Sequence, residues 1–216
     1  MQRSLVGSEM CIRDRYQHVH VFGKRVSTIS PRSHHHILVE HTVTSRNIRH
    51  GIDSRPPHLS VYPKYIMDNS PYTPGVSIIA PAYNEEKTIV NNVNSLLAQE
   101  YPIFEVVIVN DGSRDKTLEL LIKHFSLVEV PFAYVEYIHT KPYRRLFKST
   151  RTEYKRLIVV DKENGGTKAD AVNAGLNASS YPYFINTDVD CILSKDAISR
   201  CIMPFLESED VIAVSG

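Results

Sequence analysis

From residue 72 onward, short apolar runs alternate with helical patterns, and this alternation restricts the chain to few folds. Runs rich in β-branched and apolar residues predict strands over 76–81, 104–109, 157–160, 183–186 and 211–214. Apolar residues at helical spacing predict helices over 89–97, 118–125, 168–178 and 198–206. Continuous apolar strands separated by amphipathic helices are typical of a mainly parallel sheet that is covered on both faces. We therefore predict an α/β fold.

The overall composition excludes several classes of protein. The chain has 216 residues, of which 42% are hydrophobic and 23% are charged, so it is neither collagen-like nor wholly disordered. Its formal net charge of +1 gives no general reason to expect a nucleic-acid partner. Three cysteines without a C-x-x-C pair predict neither a disulfide framework nor a zinc site. No apolar run reaches the roughly 18 residues that a membrane-spanning helix needs.

The first third of the sequence differs from the rest. Residues 1–70 show little hydrophobic periodicity, and we predict an irregular N-terminal extension there, with one folded domain over 71–216. Residues 1–15 resemble translated sequencing-adapter sequence and are left out of the prediction of the fold. The three histidines at 34–36 are expected to form a solvated loop and not a metal site.

Polar segments follow three of the predicted strands. Pro81 to Glu86 comes after the first, Asn110 to Ser113 after the second, and Asp188 to Asp190 after the strand over 183–186. Any one of them alone would be explained by helix capping or by a turn. Because ligands of open α/β sheets bind beyond the carboxyl ends of the strands, their joint placement predicts one shared site.

Two features of the sequence, the aspartates after the strand over 183–186 and the segment Gly165 to Lys168, suggest how such a site would bind phosphate. Asp188 and Asp190 are two residues apart, so in an extended chain their carboxylates point to the same side and can share Mg²⁺ or Mn²⁺. Such a cation commonly completes its coordination with ligand phosphates, which favours a nucleotide diphosphate. The segment Gly165 to Lys168 would either bring the backbone and an ammonium group to a phosphate or form a loop with a solvated lysine. The glycine patterns of P-loop and dinucleotide-binding proteins are absent from the sequence.

Taken together, the segments 76–86, 107–113, 168–175 and 188–190 resemble those of family 2 glycosyltransferases. The resemblance covers 74–216 and is greatest to the polysaccharide-synthase branch, which includes poly-N-acetylglucosamine, chitin, hyaluronan and cellulose synthases. It implies a GT-A fold and transfer of a sugar, with inversion, from a nucleotide-diphosphate sugar to a glycan acceptor. The donor is most often a UDP-sugar, and the expected setting is cell-envelope or exopolysaccharide synthesis at the cytoplasmic face of a membrane.

The resemblance also implies a role for individual residues. Asp111 would accept a hydrogen bond from the base, and Lys168 would lie near the donor phosphates. Asp188 would contact the donor and help to bind the divalent cation, while Asp190 would be its direct ligand. The nucleoside would be bound by three residues of the first loop, Pro81, Tyr83 and Glu85.

The sequence departs from the family pattern in two places. Thr167 stands between Gly166 and Lys168, where related enzymes commonly run directly from glycine to lysine, so the direction of Lys168 is open. The general base and the acceptor-binding Q-x-x-R-W motif are expected beyond Gly216, so no catalytic residue is named. We accordingly expect this chain alone to bind the donor weakly and to transfer little sugar.

Two other functions are weighed against this one. A sugar-phosphate nucleotidyltransferase would carry a glycine-rich loop after its first strand, which Pro81 to Glu86 does not resemble. A noncatalytic nucleotide-binding module would account for the missing later motifs. The basic and aromatic stretch within 127–156 is expected to be a solvated loop, with docking to anionic lipid as the alternative.

Overall fold

The computed structural model describes residues 20–24, 49–50, 70, 72–131, 136–207, 211 and 213–215. For 20–24 and 49–50 it describes the backbone alone. The adapter-like opening and the histidines at 34–36 lie outside the described residues. Within the described part, no helix is long and apolar enough to cross a membrane.

The chain forms strands and helices at the predicted places. The strands are β1 (His20–Lys24), β2 (Arg49–His50), β3 (Val76–Ala82), β4 (Phe104–Asp111), β5 (Leu127–Glu129), β6 (Tyr143–Ser149), β7 (Leu157–Lys162), β8 (Tyr183–Asn186) and β9 (Ala213–Ser215). The helices are α1 (Ile89–Leu97), α2 (Thr117–Phe125), α3 (Lys168–Ala178) and α4 (Ala197–Glu207), and a 3₁₀ turn covers Thr152–Tyr154. All five predicted strands and all four predicted helices have counterparts here.

The strands form one sheet whose parallel centre is flanked on each side by an antiparallel strand. Its order is β2, β9, β1, β8, β3, β4, β7, β6, β5. The four central strands, β8, β3, β4 and β7, are parallel, whereas β6 and β1 run antiparallel to their central neighbours. Strands β1 and β2 come from the segment predicted as an irregular extension and join the sheet at β8 and β9. The division of the chain at residue 70 stays a prediction.

Helices cover both faces of the sheet, as predicted. Side chains alternate between the faces along a strand, so Ile78 and Ile79 of β3 enter different apolar clusters. The larger cluster contains Ile78 and residues of α1, α2 and α4. The smaller cluster contains Ile79 and four residues of α3, namely Ala171, Val172, Ala174 and Ala178. The sheet is therefore buried on both faces, and the loops lie at the two ends of its strands.

The expectation of a solvated loop over the basic stretch is wrong. Strand β6 pairs with β7 along most of its length, and its Leu146 and Phe147 are buried. Its Arg145 forms two hydrogen bonds with Oδ2 of the buried Asp161, at 2.8 and 3.2 Å. Leu146 and Phe147 enter the apolar clusters on opposite faces of the sheet, and the pairing with β7 makes this basic stretch a strand of the sheet.

Gly175 of α3 packs directly on the sheet. At this position alanine should therefore destabilise the protein, although it ordinarily favours a helix over glycine. A Cβ at this position would lie 2.4 Å from Cγ2 of Ile79 and 3.1 Å from Cγ2 of Val109. Alanine in place of glycine ordinarily stabilises a helix by about 1 kcal/mol, but overpacking a core costs about 1–3 kcal/mol. We expect Gly175→Ala to lower the free energy of unfolding by about 1 kcal/mol, as measured by urea denaturation.

The matched control removes the opposing methyl group. In an Ile79→Ala background the new Cβ has room, so the cost of Gly175→Ala should shrink or change sign. An equal cost in both backgrounds, or stabilisation of the otherwise unchanged chain, would show that the close approach is unimportant.

Candidate functional site

The predicted polar loops meet at one cavity of about 400 Å³, beyond the carboxyl ends of the central strands. Its lining consists of Pro81, Ala82, Tyr83, Glu85, Asp111, Asn164, Gly166, Thr167, Lys168, Ala171 and Asp188. All six residues predicted to bind the donor are among them. Asp190 is not part of the lining, although it lies two residues beyond Asp188. The structure thus brings the predicted residues together, and the role of each stays a prediction.

Hydrogen bonds join the loop after β3 to the loop after β4. The backbone N–H of Asn84 donates to the hydroxyl of Ser113 at 3.0 Å, and Oδ1 of Asn84 accepts from the N–H of Arg114 at 2.9 Å. The N–H of Glu85 donates to the hydroxyl of Thr117 at 2.8 Å. Asn84 has a φ of 58°, a left-handed conformation that asparagine tolerates better than most residues. We call this set of contacts between 84–86 and 113–117 the loop clasp.

Glu86 and Asp115, two acidic residues of the loop clasp, each accept a hydrogen bond from a backbone N–H of the other loop. Oε2 of Glu86 accepts from the N–H of Lys116 at 3.1 Å, and Oδ2 of Asp115 accepts from the N–H of Glu86 at 3.1 Å. Desolvation acts to raise the pKa of Asp115, but hydrogen bonds from Thr117 and Glu86 outweigh it and hold that pKa below its ordinary value. The residues at the N-cap positions of α1 and α2, Thr88 and Lys116, make no side-chain cap.

A buried lysine holds the cavity residue Asp111 in place, and it was not predicted from the sequence. Lys162 is completely buried, and its Nζ donates to Oδ1 of Asp111 at 2.8 Å, to Oδ2 of Asp170 at 2.6 Å and to the carbonyl of Glu163 at 2.5 Å. The N–H of Gly165 also donates to Oδ1 of Asp111, at 3.0 Å. Among the described residues, both hydrogen bonds to the Asp111 carboxylate reach Oδ1, so Oδ2 remains available to a ligand. The signal in the sequence was the charged pair Asp161-Lys162, which directly follows the apolar run over 157–160.

Two glycines allow the loop after β7 to lie close to its neighbours. Gly112 has a φ of 66°, and a Cβ there would lie 2.8 Å from the backbone nitrogen of Asn164. The side-chain amide of Asn164 in turn donates to the carbonyl of Asp111 at 2.8 Å. A Cβ on Gly165 would lie 2.1 Å from Oδ2 of Asp170. Gly165 thus makes room for a protein carboxylate, whereas Gly166 lines the cavity.

Thr167 explains how Lys168 reaches the cavity in spite of the inserted residue. Thr167 is the N-cap of α3, and its hydroxyl accepts from the N–H of Asp170 at 3.3 Å. Lys168 is therefore the first residue of the helix. Its ammonium group forms an ion pair with the carboxylate of Asp188, and both side chains are about half exposed.

The loop after β8 gathers three side chains that can bind a metal. The N–H of Thr187 donates to the carbonyl of Ile79 at 3.1 Å, which fixes the start of this loop against β3. Carboxylate oxygens of Asp188 and Asp190 and Sγ of Cys191 all lie within 4.8 Å of one another. Burial first, and then the two carboxylates, raise the pKa of the Cys191 thiol. The two carboxylates suit Mg²⁺ or Mn²⁺, so the donor set fits the predicted divalent cation, while the sulfur, a softer ligand, was not predicted.

Comparison with known proteins identifies similar sequences and structures. The family model described as glycosyl transferase family 2 matches residues 77–216. Poly-beta-1,6-N-acetyl-D-glucosamine synthase of Staphylococcus epidermidis is 30% identical over 142 residues, which cover 66% of this chain and 28% of that protein. The synthase of the same name from Staphylococcus aureus strain COL gives the same identity and the same shares. The chain thus spans less than a third of the length of these relatives.

Two solved structures are similar to part of the chain. The structure of S. aureus TarS 1–349 in complex with UDP-GlcNAc has a TM-score of 0.45 and 25% identity, over 62% of this chain and 32% of that one. The mannosyltransferase PcManGT from Pyrobaculum calidifontis, in complex with GDP-Man and Mn²⁺, has a TM-score of 0.46 and 22% identity, over 68% and 39% of the two chains.

Proposed function

Because the chain belongs to glycosyl transferase family 2 and has a GT-A fold, we propose that it forms the donor-binding part of an inverting, metal-dependent glycosyltransferase. The donor is a nucleotide-diphosphate sugar, specifically a UDP-sugar, and the acceptor is a growing glycan. The similarity to poly-beta-1,6-N-acetyl-D-glucosamine synthases of Staphylococcus supports a role in cell-envelope or exopolysaccharide synthesis. The cytoplasmic face of a membrane is the proposed location of the full-length protein.

The cavity of about 400 Å³ described above is called the donor cavity. The observation that carries this proposal is the set of polar groups that line it. A free carboxylate oxygen on Asp111, the ammonium group of Lys168 and the carboxylate of Asp188 line the same space. Its volume lies within the range of about 300–1,000 Å³ that is usual for small-molecule sites. These three groups match, in turn, the base, the pyrophosphate and the cation of a nucleotide-sugar complex.

The nucleoside half of the donor cavity offers an acceptor and an aromatic surface. Lys162 and Gly165 both bond to Oδ1 of Asp111, so Oδ2 presents an acceptor in a fixed direction. An ionised carboxylate accepts hydrogen bonds only, and the ring N–H of uracil is a suitable donor. Tyr83 is 46% exposed and lines the same cavity, where its ring can stack on a base. The loop clasp holds Tyr83 in place relative to Asp111.

The phosphate half combines a helix N-terminus with a cation. Lys168 begins α3, so a pyrophosphate here would meet both free backbone N–H groups and an ammonium group. Because Lys168 and Asp188 are half exposed, their ion pair contributes only about 0–1 kcal/mol. A doubly charged pyrophosphate can therefore take over Lys168 and leave Asp188 to the metal.

Asp188 and Asp190 would hold the divalent cation. When bound, Mg²⁺ or Mn²⁺ offsets the negative charge that develops on the departing nucleotide diphosphate. These two side chains would hold it at the loop that follows β8, where Asp188 also pairs with Lys168.

Isothermal titration of the chain with UDP tests the proposal. We expect UDP to bind in the presence of Mn²⁺ or Mg²⁺, and binding to fall to a weak, Lys168-dependent level when EDTA removes the cation. CDP should bind more weakly than UDP, because the cytosine ring has no N–H to donate to Asp111. UDP binding that is unaffected by EDTA would contradict the metal site. Turnover of a nucleoside triphosphate with a sugar phosphate would favour a nucleotidyltransferase instead.

A further inference from the structure

A second cavity, of about 330 Å³, lies at the opposite edge of the sheet, where β4 and β7 begin. Three basic side chains, of Lys148, Lys155 and Arg156, line it together with the carboxylate-bearing Glu105 and the ring of Tyr181. We call it the basal cavity. We propose that the basal cavity binds a phosphoryl group with a hydroxyl close to it, as found in a polyol phosphate or in a phosphoglycerol lipid headgroup.

Arg156 is already oriented for binding an anion. Its Nη2 donates to the carbonyl of Pro102 at 3.0 Å, and its guanidinium carbon lies 4.3 Å from the ring centre of Phe104. A guanidinium group has five N–H donors, and the structure records only this one side-chain hydrogen bond for Arg156 among the described residues. Stacking and one anchoring bond thus fix the plane of the group while other donors remain for a ligand.

The charge of the basal cavity matches a phosphate monoester. Three cations and the carboxylate of Glu105 give it a formal charge of +2. A phosphate monoester carries about −1.5 to −2 at neutral pH and balances this charge, while the phosphodiester of a lipid headgroup carries about −1 and is also attracted by it. Lys155 is exposed, and no hydrogen bond of its ammonium group to another described residue is recorded, so it can turn toward a ligand.

Glu105 is the reason why the ligand needs a hydroxyl next to its phosphoryl group. It is 7% exposed, and its Oε1 accepts from the hydroxyl of Ser77 at 2.7 Å and from the N–H of Ser180 at 2.5 Å. Its Oε2 has no recorded partner among the described residues. A buried carboxylate oxygen can accept but not donate, and a phosphate oxygen would repel it. A hydroxyl next to the phosphoryl group would donate to Oε2 and remove this repulsion.

Titration of the full chain with glycerol 3-phosphate and with methyl phosphate tests the inference. We expect glycerol 3-phosphate to bind more tightly, because methyl phosphate has no carbon-bound hydroxyl. The double variant Lys148→Gln/Lys155→Gln should bind glycerol 3-phosphate at least about tenfold more weakly, since it loses two charged donors. The control Lys123→Gln/Lys195→Gln removes the same charge from exposed lysines outside the basal cavity and should bind like the unchanged chain. Saturating UDP with Mn²⁺ should not displace the ligand.

Vesicle sedimentation distinguishes the two sources of the same chemistry. Binding to phosphatidylcholine vesicles that contain phosphatidylglycerol, lost in Lys148→Gln/Lys155→Gln, would identify a lipid headgroup as the natural ligand. Binding of free glycerol 3-phosphate without vesicle binding would identify a soluble polyol phosphate. The inference is overturned if neither binds, if UDP displaces glycerol 3-phosphate, or if the double variant binds as tightly as the control.

Discussion

Asp190→Asn should weaken the Mn²⁺-dependent binding of UDP by at least about 100-fold, because it changes a proposed direct ligand of the cation, and a change to a supporting residue of a metal site already costs about 10–100-fold. Asp190 lies outside the lining of the donor cavity, yet its carboxylate is within 4.8 Å of that of Asp188. An asparagine keeps the shape but removes the negative charge that a hard cation requires. UDP binding without a cation should not change, because Lys168 is untouched. Isothermal titration with and without Mn²⁺ measures both quantities.

The neighbouring aspartates provide a control and a contrast. Asp196→Asn, at the start of α4, removes a carboxylate that pairs with Arg200 and should leave UDP binding as it is. Asp188→Asn should also abolish the dependence on Mn²⁺, but it frees Lys168 and should therefore strengthen metal-free binding up to about fivefold. If Asp190→Asn binds UDP and Mn²⁺ normally, the metal site is wrongly placed.

Lys162→Met should lower the free energy of unfolding by about 3–5 kcal/mol, the usual cost of removing one partner from a buried ion pair. The substitution keeps an unbranched side chain, one heavy atom shorter than lysine, but leaves the carboxylates of Asp111 and Asp170 without their shared cation. Denaturation by guanidinium chloride measures the loss. Binding of UDP should weaken as well, in the fraction that remains folded, because Asp111 is no longer fixed.

The same substitution on the surface separates this effect from the loss of a lysine in general. Lys155→Met is expected to change the free energy of unfolding by less than about 0.5 kcal/mol, because that side chain is exposed. Adding Asp170→Asn to Lys162→Met should recover part of the stability, since it neutralises one of the two carboxylates left without a partner. A loss below about 1 kcal/mol for Lys162→Met would mean that solvent compensates for the missing cation.

The sequence was sufficient to predict the parallel centre of the sheet and the edge at which its polar loops meet, but not β1, β2, β5 and β6. Hydrophobic periodicity depends on neighbours along the chain, so the central strands and all four helices could be located from it. Parallel strands end at a common edge, which is why residues as far apart as Pro81, Asp111 and Asp188 could be predicted to lie together. These three and the other donor-binding candidates, Tyr83, Glu85 and Lys168, do line one cavity, and their individual roles stay predictions.

The features that were missed depend on contacts across the sheet. Lys162 looks like an ordinary surface lysine until β4 and α3 place Asp111 and Asp170 beside it. Strand β6 contains only two buried apolar residues among basic ones, and its pairing with β7 decides its structure. Cys191 approaches Asp188 and Asp190 because the chain turns there, whereas the prediction assumed that it stays extended.

The loop clasp also constrains how this protein can change. Asn84 and Glu86 belong to one β-α unit, while Ser113 and Asp115 belong to the next, and each loop supplies both donors and acceptors to the other. A substitution in one loop therefore leaves a polar group of the other without its partner. Amino-acid replacements at these positions should be inherited in pairs, and grafting a new nucleoside specificity onto this scaffold would require exchanging both loops at once.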